Sequence, residues 1–466
     1  MNYKAQTFII AVLSLLVLPA CKHSSSENIS SSDVMRESHQ LRLITLDPGH
    51  FHAALVQKRM YEALDNEVHV YAPEGKDVQL HLQKIDQYNR QPEEATEWVE
   101  KVYTGPDYLE KMLDDKAGDL VVLAGKNGRK IEYIQSSIES GLHVLADKPM
   151  VIHPDGYPKL EEAFEMAEEK GLILYDIMTE RYAIINIIQR ELLLMENLFG
   201  ELEKGTPDNP AISKESVHHF YKNVSGTPLI RPAWYFDVAQ QGEGIIDVST
   251  HFVDLILWSC FPDQMVAREE VAVVQAHRWP TPITPTQFEQ VTALSEYPEY
   301  LQKDIVNDSV LNVFSNGEFV FQVGGTFAKV SVSWNYQAPE RGGDTHLSMM
   351  RGSKAKLVIR QNKAQDYQPV LYIESANTAQ PLSEEVINNA IEKIGQTYPG
   401  VTYKKSREGW EVVIPETYKT GHEAHFSIVM QKYLEFIHHG KLPEWERDIL
   451  LSKYYITTQA YAKSHM

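Results

Sequence analysis

Leu41-Arg42-Leu43-Ile44-Thr45-Leu46-Asp47-Pro48-Gly49-His50-Phe51-His52 is the stretch whose reading decides the fold. Its first six residues form a short apolar strand, and Asp47-Pro48-Gly49 turns the chain. From His52 to Leu64 apolar residues recur at helical spacing, through Ala53, Leu55, Val56, Met60 and Leu64. Val68-His69-Val70-Tyr71 then reads as a second strand. Strand, turn, helix, strand is the setting in which a glycine-bearing turn approaches a dinucleotide.

The alternation runs on. Val102-Tyr103 reads as strand, Tyr108 to Leu113 as helix, and Asp119 to Ala124 as a near-continuous apolar strand suited to a parallel sheet covered on both faces. Ile131 to Ser140 is helical, with Gly141 as its cap. His143 to Ala146 is a strand, Leu160 to Glu169 an amphipathic helix, and Leu172 to Tyr175 the next strand. Strands alternating with helices predict a doubly wound α/β domain with right-handed crossovers. The polar stretch Pro73 to Trp98 interrupts the pattern and reads as a partly helical insertion. Asp147-Lys148-Pro149 follows the fifth strand. Ligands of such sheets bind at the carboxyl ends of strands, where a lysine can meet an anion or a hydroxyl. A surface lysine before a turn proline is the plainer alternative.

Further along, Gly242-Glu243-Gly244-Ile245-Ile246-Asp247-Val248-Ser249-Thr250-His251-Phe252-Val253-Asp254 sets two glycines ahead of an apolar helical pattern. Helical spacing puts Asp247, His251 and Asp254 on one stripe, beside Val248, Phe252 and Leu255. A carboxylate and an imidazole so placed suit proton transfer; a capped helix with a core histidine suits the same residues. His218 to Tyr221, Val271 to Val274, Ser309 to Phe314, Glu318 to Val323, Ala328 to Trp334, Leu357 to Ile359 and Glu411 to Ile414 have strand character. Asn316-Gly317 predicts a hairpin turn between two of them. Ser427 to His438 and Ile449 to Ala462 close the chain as helices.

The 466 residues suffice for two or three domains with a large core. A formal net charge of −20 argues against nucleic acid and anionic membrane surfaces as electrostatic partners. At the N-terminus Lys4 precedes an apolar run, Phe8 to Leu18, of signal-peptide length and short for a membrane span. It ends in Leu18-Pro19-Ala20-Cys21, which resembles a bacterial lipobox, so residues 1–20 are expected to be a signal peptide and Cys21 the lipidated anchor. The serine-rich segment that follows makes residues 21–40 a flexible tether. The expected address is an exported, membrane-anchored lipoprotein facing the periplasm or the cell surface. With Cys21 lipidated, Cys260 has no disulfide partner, and its apolar neighbours Trp258 and Phe261 suit a packed, inert thiol.

Three patterns together resemble the Gfo/Idh/MocA oxidoreductase family. Asp147-Lys148-Pro149 is similar to the family's Glu-Lys-Pro, Thr179-Glu180-Arg181-Tyr182 to the motif closing its nucleotide domain, and Gly242 through Asp254 to its Gly-Gly…Asp-x-x-x-His-x-x-Asp helix. The resemblance spans roughly 41–350 and weakens toward the end. It implies a Rossmann-like, doubly wound parallel sheet over 41–181. A C-terminal substrate-binding α/β domain with a large, open, mostly antiparallel sheet would follow over 182–466. It also implies that Lys148, Asp247 and His251 are catalytic: His251 takes the hydroxyl proton as a hydride leaves the same carbon, Asp247 polarises the site, and Lys148 binds the reacting oxygen.

The implied cofactor is NAD or NADP, with the phosphate preference open. The implied cofactor-binding residues are Asp47, Pro48, Gly49, His50, Phe51, His52, Glu74, Gly125, Asn127, Asp147, Lys148 and Pro149. Where the family has Gly-x-Gly-x-x-Gly or Ala, this chain has Asp47, Gly49 and His52, so only the central glycine is kept. Ala72 and Pro73 stand where an acidic ribose ligand belongs, with Glu74 as stand-in.

Arg231, Trp234, Tyr235 and Asp237, with Arg181 and Tyr182, are the candidate substrate-binding residues. Aromatic rings stack on apolar sugar faces while charged groups take hydroxyls; core packing explains the rings equally well. Arg341-Gly342-Gly343-Asp344 resembles a loop over the same cleft. No metal is expected. His50 and His52 can share a side of the turn, but no cysteine or carboxylate set nearby in sequence completes a shell, and His422-Glu423-Ala424-His425 is one residue short of the zinc-helix spacing. The expected function is a nicotinamide-dependent oxidoreductase acting on a hydroxyl of a sugar or sugar derivative outside the cytoplasm. NAD-dependent glycoside cleavage through a transient keto intermediate and a non-catalytic carbohydrate-binding lipoprotein are the alternatives. The partner is a small carbohydrate, the membrane is met through the lipid at Cys21, and a homo-oligomer is carried as a candidate assembly.

Overall fold

The computed structural model describes residues 40–224, 227–262, 264, 266, 268–340 and 342–466. The signal segment, Cys21 and the tether up to residue 39 lie outside the described residues, as does Arg341. Among the described residues no helix is long and apolar enough to cross a membrane.

The chain first builds β1 (Leu41–Leu46), α1 (His52–Val56), β2 (Leu64–Ala72), α2 (Lys76–Arg90), β3 (Val99–Thr104), α3 (Tyr108–Asp115), β4 (Leu120–Leu123), α4 (Lys130–Glu139), β5 (His143–Asp147), α5 (Tyr157–Lys170) and β6 (Leu174–Ile177). The six strands form one parallel sheet in the order β3-β2-β1-β4-β5-β6. That is the doubly wound order, with its switch point between β1 and β4, where such folds bind ligands. All four residues of β4 are buried, as a central parallel strand covered on both faces requires. The expected helix from His52 to Leu64 stops at Val56. Leu64 pairs with Leu41 at the start of β2, so sheet formation overrides helical spacing there. The polar insertion is α2, with Val78, His81, Ile85 and Tyr88 on its buried face.

After α6 (Ile184–Leu193) and the short pair β7 (Gly205–Thr206) and β8 (Asn209–Pro210) comes β9 (Ile212–Tyr221), followed by the pair β10 (Asn223–Val224) and β11 (Thr227–Pro228). Next come α7 (Val238–Gln241), α8 (Ser249–Cys260), β12 (Val271–Ile283), α9 (Pro285–Thr292), β13 (Ile305–Val306), β14 (Val310–Val323), β15 (Thr326–Gln337), β16 (Thr345–Arg351), β17 (Ala355–Gln361) and β18 (Val370–Ser375). The chain ends with α10 (Glu384–Thr397), β19 (Thr402–Lys405), β20 (Trp410–Val413), α11 (His422–His439) and α12 (Glu444–Ser464). A ten-stranded sheet runs β12-β14-β15-β9-β16-β17-β18-β20-β19, with β13 beside β14. It is antiparallel except where β15 and β9 run parallel.

Two expectations are corrected here. Asn316-Gly317 is not a turn: both flanking runs belong to the single strand β14, and the hairpin to β15 is made by Gly324 and Gly325, both at positive φ. Gly317 is small for another reason, since a Cβ there would lie 2.5 Å from Ile245. The Asn316 amide donates to Trp279 O and accepts from Trp334 N, spanning the register shift between β12 and β14. Second, the C-terminal region is not confined to the second domain. Phe426, Val429, Met430, Tyr433 and Phe436 of α11, with Leu450 and Tyr454 of α12, are buried in the core of the first sheet. The chain after residue 181 thus returns to close the nucleotide domain.

Candidate active site

The glycines before α8 set that helix against the large sheet. Gly242 takes a φ of 96°, which L side chains rarely adopt, and turns the chain out of α7. At Gly244 a Cβ would lie 1.7 Å from Ser315 O of β14, and the Gly244 N–H donates to Phe314 O. Asp247 N–H donates to Glu243 O and His251 N–H to Val248 O, so the backbone already turns helically before α8 begins. Asp247 and His251 face the carboxyl end of β5.

There the three residues meet. Lys148 Nζ donates to Asp247 Oδ1 at 2.6 Å, and Gln241 Nε2 donates to Asp247 Oδ2 at 3.0 Å. Both partners of the Lys148–Asp247 pair are nearly shielded from water, with about a tenth of each side chain exposed, 11% and 9%. His251 Nδ1 has no hydrogen-bond partner among the described residues. Burial lowers the His251 pKa well below 6.5, and the Lys148 ammonium and His422 lower it further. The imidazole is therefore neutral near pH 7. The Lys148–Pro149 peptide is cis.

The third member of the expected stripe has another task. Asp254 is buried and receives both Arg181 Nε and an Arg181 terminal nitrogen at 2.6 Å, and Lys453 Nζ at 3.0 Å. Arg181 also donates to Glu446 at 2.6 Å, and Lys453 pairs with Asp176 at 2.7 Å. Arg181 is thus not a substrate ligand; it joins α8 to α12 in a closed ionic network. Burial alone would raise the Asp254 carboxyl, but Arg181 and Lys453 outweigh it and hold its pKa at about 2. Tyr182 lies next to the network, its phenol pushed up to about 12 by burial.

At the nucleotide turn, Asp47 is buried and accepts from Tyr133 Oη at 2.9 Å. Gly125 must be glycine, since a Cβ would lie 2.2 Å from Asp47 O. Above Gly49, a Cβ would meet Trp234 Cζ2 and Gly125 Cα at 3.5 Å and Asp77 Oδ2 at 3.6 Å. The space a pyrophosphate takes over this glycine in the doubly wound fold is therefore lined by the Trp234 ring. The turn, with Asp47 and Trp234, is not a glycine cradle. Pro48 completes the turn, and Phe51 stands exposed beside it. Glu74 is exposed beyond β2, whereas Asp77 of α2, which sequence reading passed over, reaches the turn.

Asn127 spends its amide inside the protein: Nδ2 donates to Gln241 O and Oδ1 accepts from Lys130 Nζ, tying the β4 turn to α7. Lys130, buried and also bonded to Asp147 O, was missed; burial lowers its pKa to about 8. It shares a helical face with Ile134, Ser137 and Ile138, which was a readable sign of burial. Asp147 forms a 2.8 Å contact with His52 Nδ1 and lies 3.9 Å from His50 Nδ1. The carboxylate absent near His50 and His52 in sequence is thus supplied by β5. Burial pushes Asp147 up, but His52 and Lys130 hold its carboxyl well below the usual range.

Of the other substrate candidates, Asp237 caps α7 through Ala239 N, binds Gln240 and pairs with Lys303, so its carboxylate is consumed internally. The Arg231 guanidinium lies over Tyr235 and Trp334, with centroids at 4.8 and 5.3 Å, and His218 stacks on Trp334. Burial raises the Tyr235 phenol; Arg231 opposes this, while the carboxylates of Asp247 and Asp344 add to it. Asp344 is bound by His219 at 2.9 Å and by Lys222 at 2.9 Å. Cys260 is buried and free, and burial raises its thiol to about 12.

Comparison with known proteins bears on the two domains. Residues 188–465 match the family described as "Putative oxidoreductase C terminal domain", and residues 61–176 match "Oxidoreductase family, NAD-binding Rossmann fold". The second match begins beyond the altered turn at 47–52. A crystal structure described as "a putative oxidoreductase from Parabacteroides merdae ATCC 43184" is 50% identical, with a TM-score of 0.89, covering 91% of this chain and 98% of that one. A levoglucosan dehydrogenase in complex with NADH shares the fold at 11% identity and a TM-score of 0.55, covering 91% and 97%. A 3-ketoreductase from Actinomadura kijaniata in complex with NADP and TDP-benzene shares it at 14% and 0.52, covering 91% and 96%. A search of the curated proteins found no match. The motifs, the two matched domains and the half-identical relative agree: the chain belongs to the Gfo/Idh/MocA family of NAD(P)-dependent oxidoreductases.

Proposed function

We propose that the protein oxidises a carbinol carbon of a sugar or sugar derivative, or reduces the corresponding carbonyl, outside the cytoplasm. The observation that carries the reading is the convergence of Lys148, Asp247 and His251 at the carboxyl end of β5. A nicotinamide dinucleotide would be held at the carboxyl ends of the parallel strands beside Lys148 and Pro149, with Trp234 moved off Gly49, and would supply the hydride acceptor or donor. In the oxidative direction neutral His251 takes the hydroxyl proton on a ring nitrogen. Lys148 Nζ donates a hydrogen bond to the reacting oxygen, and Asp247 fixes the direction of that ammonium. A sugar substrate is supported by the levoglucosan dehydrogenase that shares the fold; Trp334 itself is buried, with Arg231, His218 and Phe220 packed on its ring. The apolar run Phe8 to Leu18 and the lipobox-like Leu18-Pro19-Ala20-Cys21 support the location.

The test is incubation of the purified protein with NAD or NADP and a panel of monosaccharides and glycosides, read by absorbance of the reduced nicotinamide. A sugar-dependent rise is expected. Dinucleotide binding without any sugar-dependent change across the panel refutes the substrate class. Incorporation of labelled fatty acid, lost in Cys21→Ala, tests the anchor; equal labelling of the variant refutes it.

A further inference from the structure

We propose that His50, His52 and Asp147 form a binding site for a divalent first-row transition metal, with zinc as the best-matched ion. One ligand atom from each of the three side chains lies within 4.8 Å of the other two. Metal–nitrogen and metal–oxygen bonds of about 2.0–2.2 Å require ligand atoms roughly 3–4 Å apart, so small rotamer adjustments close the shell. Two imidazoles and one carboxylate with the remaining positions open are the donor set of catalytic zinc and of non-haem iron.

The site is built from two elements that the fold brings together. His50 and His52 flank the β1 turn, and Asp147 ends β5. Asp147 and His52 are buried, while His50 keeps about a quarter of its side chain, 24%, open to solvent, leaving an entry path. The two imidazole rings already meet edge to face at 3.9 Å. The His52 ring is held from behind by Phe426, centroids 4.6 Å apart. The neighbouring ammonium groups have their own acceptors: Lys130 on Asn127 and Asp147 O, Lys148 on Asp247. His422 is also close to His52, but its Nε2 is bonded to Thr179. The proposal is independent of the sugar reading, because it concerns only what these three side chains bind.

The experiment starts from protein dialysed against a chelator. Zinc is titrated by calorimetry, and cobalt(II) is followed through the visible bands of a nitrogen–oxygen shell. One equivalent is expected. His52→Ala and Asp147→Asn should each weaken binding by more than the roughly 10–100-fold typical of an outer-shell partner. His50→Gln, at the more open position, tests ligand loss without disturbing the packing on Phe426, and circular dichroism confirms that each variant is folded. Removal of the exposed pair His438 and His439 should leave binding unchanged. Absence of stoichiometric binding, binding indifferent to His50→Gln and Asp147→Asn, or binding lost with His438 and His439 overturns the proposal.

Discussion

Trp234→Ala separates the two tasks this ring performs. In the structure the indole is 5% exposed, and Cζ2 lies 3.5 Å from the Cβ position of Gly49. A dinucleotide whose pyrophosphate settles over Gly49 has to displace it. Swinging a ring that buries about 200 Å² fully into water costs roughly 5 kcal/mol at 25 cal/mol per Å². That is an upper bound, and a ring that finds other apolar contacts loses less than half of it, about 2 kcal/mol. Removing the ring should therefore tighten dinucleotide binding by about 30-fold, at 1.4 kcal/mol per tenfold. The same truncation empties a core position and should lower the unfolding free energy by about 3–5 kcal/mol. Calorimetric titration with NAD and NADP reads the first effect and urea unfolding the second. A variant that is destabilised yet binds the dinucleotide more weakly refutes the reasoning, because the ring would then be a platform for the cofactor.

Two further outcomes follow from buried charge. Asp254→Asn leaves Arg181 and Lys453 without their shared carboxylate and should cost about 3–5 kcal/mol in urea unfolding; a change under 1 kcal/mol would show that the network relaxes freely. Burial lowers His81 from 6.5 to about 4, and neither ring nitrogen has a partner among the described residues. The unfolded chain takes up the proton first, so this contribution is intact above pH 6.5 and is lost as pH falls toward 4. At pH 4.5 the loss is roughly 2–3 kcal/mol. His81→Leu should flatten the acid slope by that amount, measured as unfolding free energy at pH 7 and pH 4.5, and an unchanged slope contradicts it.

The doubly wound domain was legible because its strands are short apolar runs punctuated by turns, and its order follows from the alternation. The nearness of Lys148, Asp247 and His251 was legible through three motifs in register, while their catalytic roles belong to the proposal. Three features were not. Asn316-Gly317 reads as a turn locally, yet the close approach of Ile245 and the bonds of the Asn316 amide give it a place inside a strand. Arg181, Asp237 and Asn127 have the chemistry of ligands, but partners 73, 66 and 114 residues away consume them. The carboxylate beside His50 and His52 lies 95 residues from His52, a distance over which no spacing rule operates. Each of these residues has a long-range partner that no local pattern shows, although Asp237 also caps α7 locally through Ala239 N.

The central claim is that His251 is the proton acceptor beside Lys148 and Asp247. It is tested most directly by turnover of His251→Ala, measured as sugar-dependent nicotinamide reduction together with the melting temperature. The side chain is half-buried and its Nδ1 is unpartnered, so the melting temperature should scarcely change while turnover falls by roughly 10²–10⁴. Undiminished turnover in the folded variant would contradict the account.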